Sequence, residues 1–131
     1  MGYRVGIDLG TTWTAAAVAR DDGIVEVVGL GTRSSAVPTL VHVGVDGEVT
    51  VGETAARRGA TSPDRLAREV KRRIGDTVPV LLGGQPFSPE DLLVEVAAWV
   101  VATVTSLEGG PPDAVRVTHP ANWGPLRLEM P

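Results

Sequence analysis

An aspartate sits inside an apolar strand pattern, directly ahead of a glycine-threonine-threonine turn: Gly6-Ile7-Asp8-Leu9-Gly10-Thr11-Thr12. The alternation from Tyr3 to Leu9 predicts a strand, and Thr12 to Arg20 reads as a second. The turn therefore joins two strands. Walker and dinucleotide glycine loops instead open helices. Gly10 permits a tight bend, which gathers successive backbone N–H groups and the hydroxyls of Thr11 and Thr12 at one place, a cradle for phosphate oxygens. Asp8 repels phosphate but suits the hydrated Mg2+ that travels with a nucleotide, because Mg2+ keeps several waters and accepts one or two carboxylates. The plain alternative is an ordinary hairpin. Against it stands Asp8, flanked by Gly6, Ile7 and Leu9 in a strand expected to be buried, where a lone carboxylate is costly.

Downstream, Asp21-Asp22-Gly23 predicts a hairpin turn and Ile24 to Val28 a third strand. Thr39 to Gly44 and Glu48 to Val51 read as strands around an Asp46-Gly47 turn. Glu53 to Gly59 predicts a short helix. Pro63 to Ile74 predicts a longer one, with Ser62 as its cap, Leu66, Ala67, Val70 and Ile74 as its apolar stripe, and Gly75 as its stop. A small hairpin is expected around Gly83-Gly84. Ser88-Pro89 then opens a long helix whose Leu92, Leu93, Val96, Ala97, Val100, Val101 and Val104 recur at helical spacing, ending at Gly109-Gly110. Asp113 to His119 predicts a last strand, parallel because a crossover helix precedes it.

Composition narrows the function classes. A net charge of −4 implies no general affinity for nucleic acid or acidic membranes. The absence of cysteine excludes disulfides and thiolate metal sites. No apolar run reaches a membrane-spanning length, no apolar signal core follows Met1, and the expected location is cytoplasmic. Of the 12 basic residues only Lys71 is a lysine, and it borders the apolar stripe of its predicted helix. His42 and His119 lack metal-ligand company.

Five segments in order resemble the DnaK-type chaperone family: Val5-Gly6-Ile7-Asp8-Leu9-Gly10-Thr11-Thr12, Val37-Pro38-Thr39, Val51-Gly52-Glu53-Thr54-Ala55, Val70-Lys71-Arg72-Arg73-Ile74-Gly75 and Val115-Arg116-Val117-Thr118-His119-Pro120-Ala121. The resemblance implies an α+β (α/β) ribonuclease-H-like, actin-type ATPase fold of which this chain is the first lobe only, with residues 1–31 and 88–131 as core subdomain and 32–87 as an inserted small subdomain. It implies ATP or ADP with Mg as cofactor. It makes Lys71 and Asp8 catalytic, with Asp8 reaching Mg through water, and makes Gly10, Thr11, Thr12 and Trp13 the phosphate-binding residues. Pro120 matches the proline that relays nucleotide state to the substrate domain. Trp13 stands where the family has Asn or Tyr, and the residues after Pro120 depart from its pattern.

The second phosphate loop, further acidic residues, adenosine pocket and peptide-binding domain of that family have no counterpart here. The chain is therefore expected to be a fragment, inactive alone and able to self-associate. Client peptides and co-chaperones would act only through missing domains. Two other readings stay open: a piece of an actin-fold sugar or acetate kinase, and a degenerate non-hydrolysing interaction module.

Overall fold

A computed structural model describes residues 2–118. Its first element, β1 (Tyr3–Leu9), alternates strictly, with Tyr3, Val5, Ile7 and Leu9 buried and Arg4, Gly6 and Asp8 exposed. β2 (Trp13–Arg20) runs antiparallel to it, placing Asp8 opposite Ala15 and Leu9 opposite Thr14. β3 (Val25–Val27) adds to the outer edge of β2 through a turn in which Gly23 takes φ 83°. β4 (Val37–Pro38) also pairs with β2, at Trp13 and Thr14.

A second, three-stranded sheet follows. β5 (Leu40–Val43) lies between β6 (Val49–Val51) and β7 (Leu66–Arg68), both antiparallel to it. Helix α1 (Glu53–Gly59) packs on this sheet. Gly59 allows the close approach, since a Cβ there would press into the Leu66 side chain. β8 (Val80–Leu82) and β9 (Gln85–Phe87) form a separate hairpin turned by Gly83 and Gly84, both at positive φ.

Helix α2 (Pro89–Glu108) opens as expected: the Asp91 amide donates to the Ser88 hydroxyl at 3.0 Å, satisfying one orphan N–H of the first turn. Gly109 closes it at φ 82°. Its stripe Leu92, Leu93, Val96, Ala97, Val100, Val101 and Val104 is buried without exception, and the helix packs on β1, β5 and β6. Each buried valine or leucine contributes about 1.5–3 kcal/mol, so the 3.6-residue period overrides the strand propensity of the valines. β10 (Ala114–Val117) then returns parallel to β1, with Ile7 beside Val117. The first sheet thus has one face under α2 and one open face, which carries Gly6, Asp8, Ala15, Ala17 and Ala19.

The predicted helix over 63–74 does not form. Pro63–Arg65 makes a single 3-10 turn, Leu66–Arg68 becomes β7, and Val70–Arg73 makes a second 3-10 turn. Pairing with the edge of β5 satisfies the backbone that a helix would have satisfied internally. Ser62 makes no side-chain cap; its hydroxyl donates to the Arg58 carbonyl and meets the buried His42 Nε2 at 2.7 Å.

Candidate functional site

The bend after β1 is closed by the Gly10 amide donating to the Trp13 carbonyl at 3.0 Å. A Cβ on residue 10 would collide with that same carbonyl oxygen, so the turn requires glycine. Thr11 and Thr12 lie between. Among the described residues, neither their amides nor their hydroxyls have a hydrogen-bond partner.

The loop is braced from behind. The Thr39 amide donates to the Thr12 carbonyl at 2.9 Å, and the hydroxyls of Thr14 and Thr39 share a buried hydrogen bond of 2.8 Å. β4 and Thr39 therefore hold the bend from one side. The Gly52 amide in turn donates to the Leu40 carbonyl, with Gly52 at φ 72° against Val37. Three of the sequence segments singled out above meet here as one support.

Asp8 is exposed on the open sheet face, which corrects the expectation that it is buried. The period of two explains this: its flanking residues Ile7 and Leu9 point to α2, and Asp8 points away. Desolvation therefore gives no argument for its function. Thr118 stands beside it, with its hydroxyl 3.3 Å from Asp8 Oδ1 and accepting the Leu9 amide at 3.3 Å. No group of three His, Cys, Asp or Glu side chains able to hold a metal exists among the described residues. A lone hydrated carboxylate fits an outer-sphere contact to a Mg2+ ion that keeps its waters; it does not make an inner-sphere cage.

Lys71 reaches this place from the 3-10 turn Val70–Arg73 that follows β7. Its ammonium donates to the Leu9 carbonyl at 2.6 Å, at the last residue before the bend. Val70, 2% exposed, packs the preceding position into the core. Trp13 shares the open face with Asp8, since Ala15, two residues on, faces Asp8 directly; its side chain is 56% exposed. Asp8, Gly10, Thr11, Thr12, Trp13 and Lys71 thus converge at one end of β1.

The Hsp70 protein family model matches residues 4–81, more than half of the chain. This chain belongs to the Hsp70 family. Among curated relatives, the chaperone protein DnaK of Thermotoga petrophila is 31% identical over 119 residues, covering 91% of this chain and 20% of the relative. DnaK of Elusimicrobium minutum is 35% identical over 125 residues, covering 92% and 20%. The chain spans about a fifth of the length of the curated relatives it matches.

Two residues of this Hsp70 chain escaped the sequence reading as parts of the site. Thr39 lay within a segment quoted for its resemblance, yet nothing in the sequence tied its hydroxyl to Thr14. Thr118 likewise lay within a quoted segment, but only the parallel register of β10 brings its hydroxyl to Asp8. Pro120 and the segment after it lie outside the described residues. A cavity of about 340 Å3 lined by Tyr3, Arg20, Asp22 and Glu108 is at the far end of β1 and belongs to no part of this site.

Proposed function

We propose that residues 1–131 supply the first phosphate-binding loop and the catalytic lysine of a DnaK-like chaperone ATPase of the ribonuclease-H/actin type. Residues 32–87 then form one wall of the nucleotide cleft. The observation that carries this reading is the Lys71 ammonium held on the Leu9 carbonyl, close in the chain to Thr11 and Thr12, whose amides and hydroxyls have no hydrogen-bond partner among the described residues.

The chemistry follows from charge and position. Phosphoryl transfer is accelerated mainly by orientation and by fixed positive charge near the transferring group. Thr11 and Thr12 would bind phosphate oxygens through N–H and O–H donors. Lys71 would add a compact ammonium that already sits in place, so little reorganisation is needed when phosphate arrives. Mg2+ bound with ATP or ADP would offset phosphate charge, with Asp8 holding its water shell. Thr118 keeps the Asp8 carboxylate oriented.

Clients and co-chaperones would meet the remaining four-fifths of a DnaK-length protein, and a cytoplasmic setting is part of the same proposal. No described helix is long and apolar enough to cross a membrane. Only one side of a nucleotide clamp is formed by these residues. Calorimetric titration with Mg–ATP tests this: the full-length protein should bind, and residues 1–131 alone should bind at least about 100-fold more weakly, about 2.7 kcal/mol. Equal affinities would refute the half-clamp.

One observation favours a second reading. The exposed indole of Trp13 shares the Asp8 face, and its bulk beside the loop suits a non-hydrolysing module. In that case full-length protein would bind Mg–ATP without turning it over.

A further inference from the structure

β7 runs extended along β5 up to Arg68, opposite Leu40. Two residues later Val70 is buried against α2, and the following turn delivers Lys71 to Leu9. Between the end of β7 and the 3-10 turn Val70–Arg73 stands Glu69, at φ 53° and ψ 34°. Glu69 is the one non-glycine residue with positive φ among those described; seven glycines occupy the other such positions. A left-handed conformation crowds the Cβ of any side-chain-bearing residue, and persists only where the surroundings impose it. Here they do: Ala67 is 3% exposed on one side and Val70 is 2% exposed on the other, so both flanks are pinned. The Glu69 carboxylate adds little, since its 3.2 Å pair with Arg72 is exposed on both partners.

We propose that the left-handed backbone at Glu69, and not its carboxylate, aims the Lys71 ammonium at the phosphate loop, which makes Glu69 a positioning residue. The proposal rests on the reading of Lys71 given above only for its consequence in catalysis; the geometric claim stands apart from any nucleotide. From Arg68 a chain continuing extended would carry residue 71 on along the sheet edge. A right-handed turn at 69 would send Val70 away from α2. Only the left-handed turn satisfies both the β5 pairing and the burial of Val70, and the ammonium position follows from those two anchors.

The chain supplies its own probe. Lys71 is its single lysine, so a sample labelled with [15N]lysine gives one side-chain ammonium signal. In the unmodified chain that signal should be protected from solvent exchange by the Leu9 carbonyl. Glu69→Gly, which adopts positive φ freely, should retain the protected signal with a raised Tm. Glu69→Gln should retain it with Tm unchanged. Glu69→Val, whose branched side chain resists the left-handed region, should lose it while the α2 amide signals persist. If Glu69→Val fails to fold, the Gly and Gln variants decide: loss of the signal in Glu69→Gln would give the role to the carboxylate and overturn the proposal. A protected signal in folded Glu69→Val would overturn it as well. Because no nucleotide is present, these outcomes are independent of the ATPase reading. That reading fails separately if displacing Lys71 leaves full-length turnover intact.

Discussion

Lys71 Nζ lies 2.6 Å from the carbonyl oxygen of Leu9, 62 residues earlier in the chain. Nothing local joins them. The contact exists because β7 pairs with β5, β5 follows the strand that braces the loop, and Val70 is anchored beneath α2. An ammonium on a carbonyl is a charge-assisted hydrogen bond, shorter and firmer than a neutral one. It places positive charge at the bend before any anion is present.

The buried Thr14–Thr39 hydroxyl pair ties the loop to β4. Removing one partner leaves the other buried and unpaired. Thr14→Val and Thr39→Val should therefore each cost about 1–3 kcal/mol, while the double variant should cost less than the sum of the two. Urea unfolding of the three variants measures this. Strict additivity would mean that the hydroxyls do not interact.

Tyr3 closes the opposite end of β1, with its phenol donating to the Gly110 carbonyl at 2.6 Å. Burial pushes this phenol above its usual 10, opposed by a Thr105 hydrogen bond and assisted by the nearby Glu108 and Asp113 carboxylates. A raised folded-state value means that the folded chain holds the proton more tightly than the unfolded chain. The associated stability is complete below pH 10 and is lost as pH rises through the raised value. Unfolding free energy should fall on the alkaline side, and Tyr3→Phe should flatten that fall. An unchanged alkaline slope in Tyr3→Phe would show that another group is responsible.

Among the described residues β3 pairs with β2 alone, leaving its other edge without a strand partner there, and Val25 and Val27 are 67% and 68% exposed. Exposed apolar edge strands pair with other copies. Residues 1–131 should show concentration-dependent association in light scattering, and Val25→Lys with Val27→Lys should suppress it. A monomer at all concentrations would contradict this.

The first three strands, α2 and β10 were legible because each carries its own periodicity and punctuation. Alternation exposes the β1 face pattern, Ser88 and Gly109 bracket α2, and a crossover helix requires a parallel return. The 63–74 region was not legible. Ser62-Pro63 is a true start signal, but it starts only one 3-10 turn, with the Arg65 amide on the Ser62 carbonyl at 3.1 Å. The apolar spacing of Leu66, Ala67 and Val70 fits a helix as well as it fits a strand followed by a left-handed turn. The edge of β5 decided between them, and a pairing partner more than twenty residues away leaves no mark on a local window. Asp8 shows the reverse error. Its neighbours suggested burial, yet the alternation already visible in β1 was enough to put it outside. At the site, Gly10 and the two threonines could be read from turn chemistry, whereas Thr39 and Thr118 depend on strand register alone.

The most direct test is single-turnover ATP hydrolysis by the full-length protein carrying Lys71→Ala. Removing one preorganised positive donor should slow the chemical step by about 100-fold or more while Mg–ATP still binds. Hydrolysis at the unmodified rate, with nucleotide bound normally, would contradict the assignment of Lys71 to the phosphate loop's chemistry.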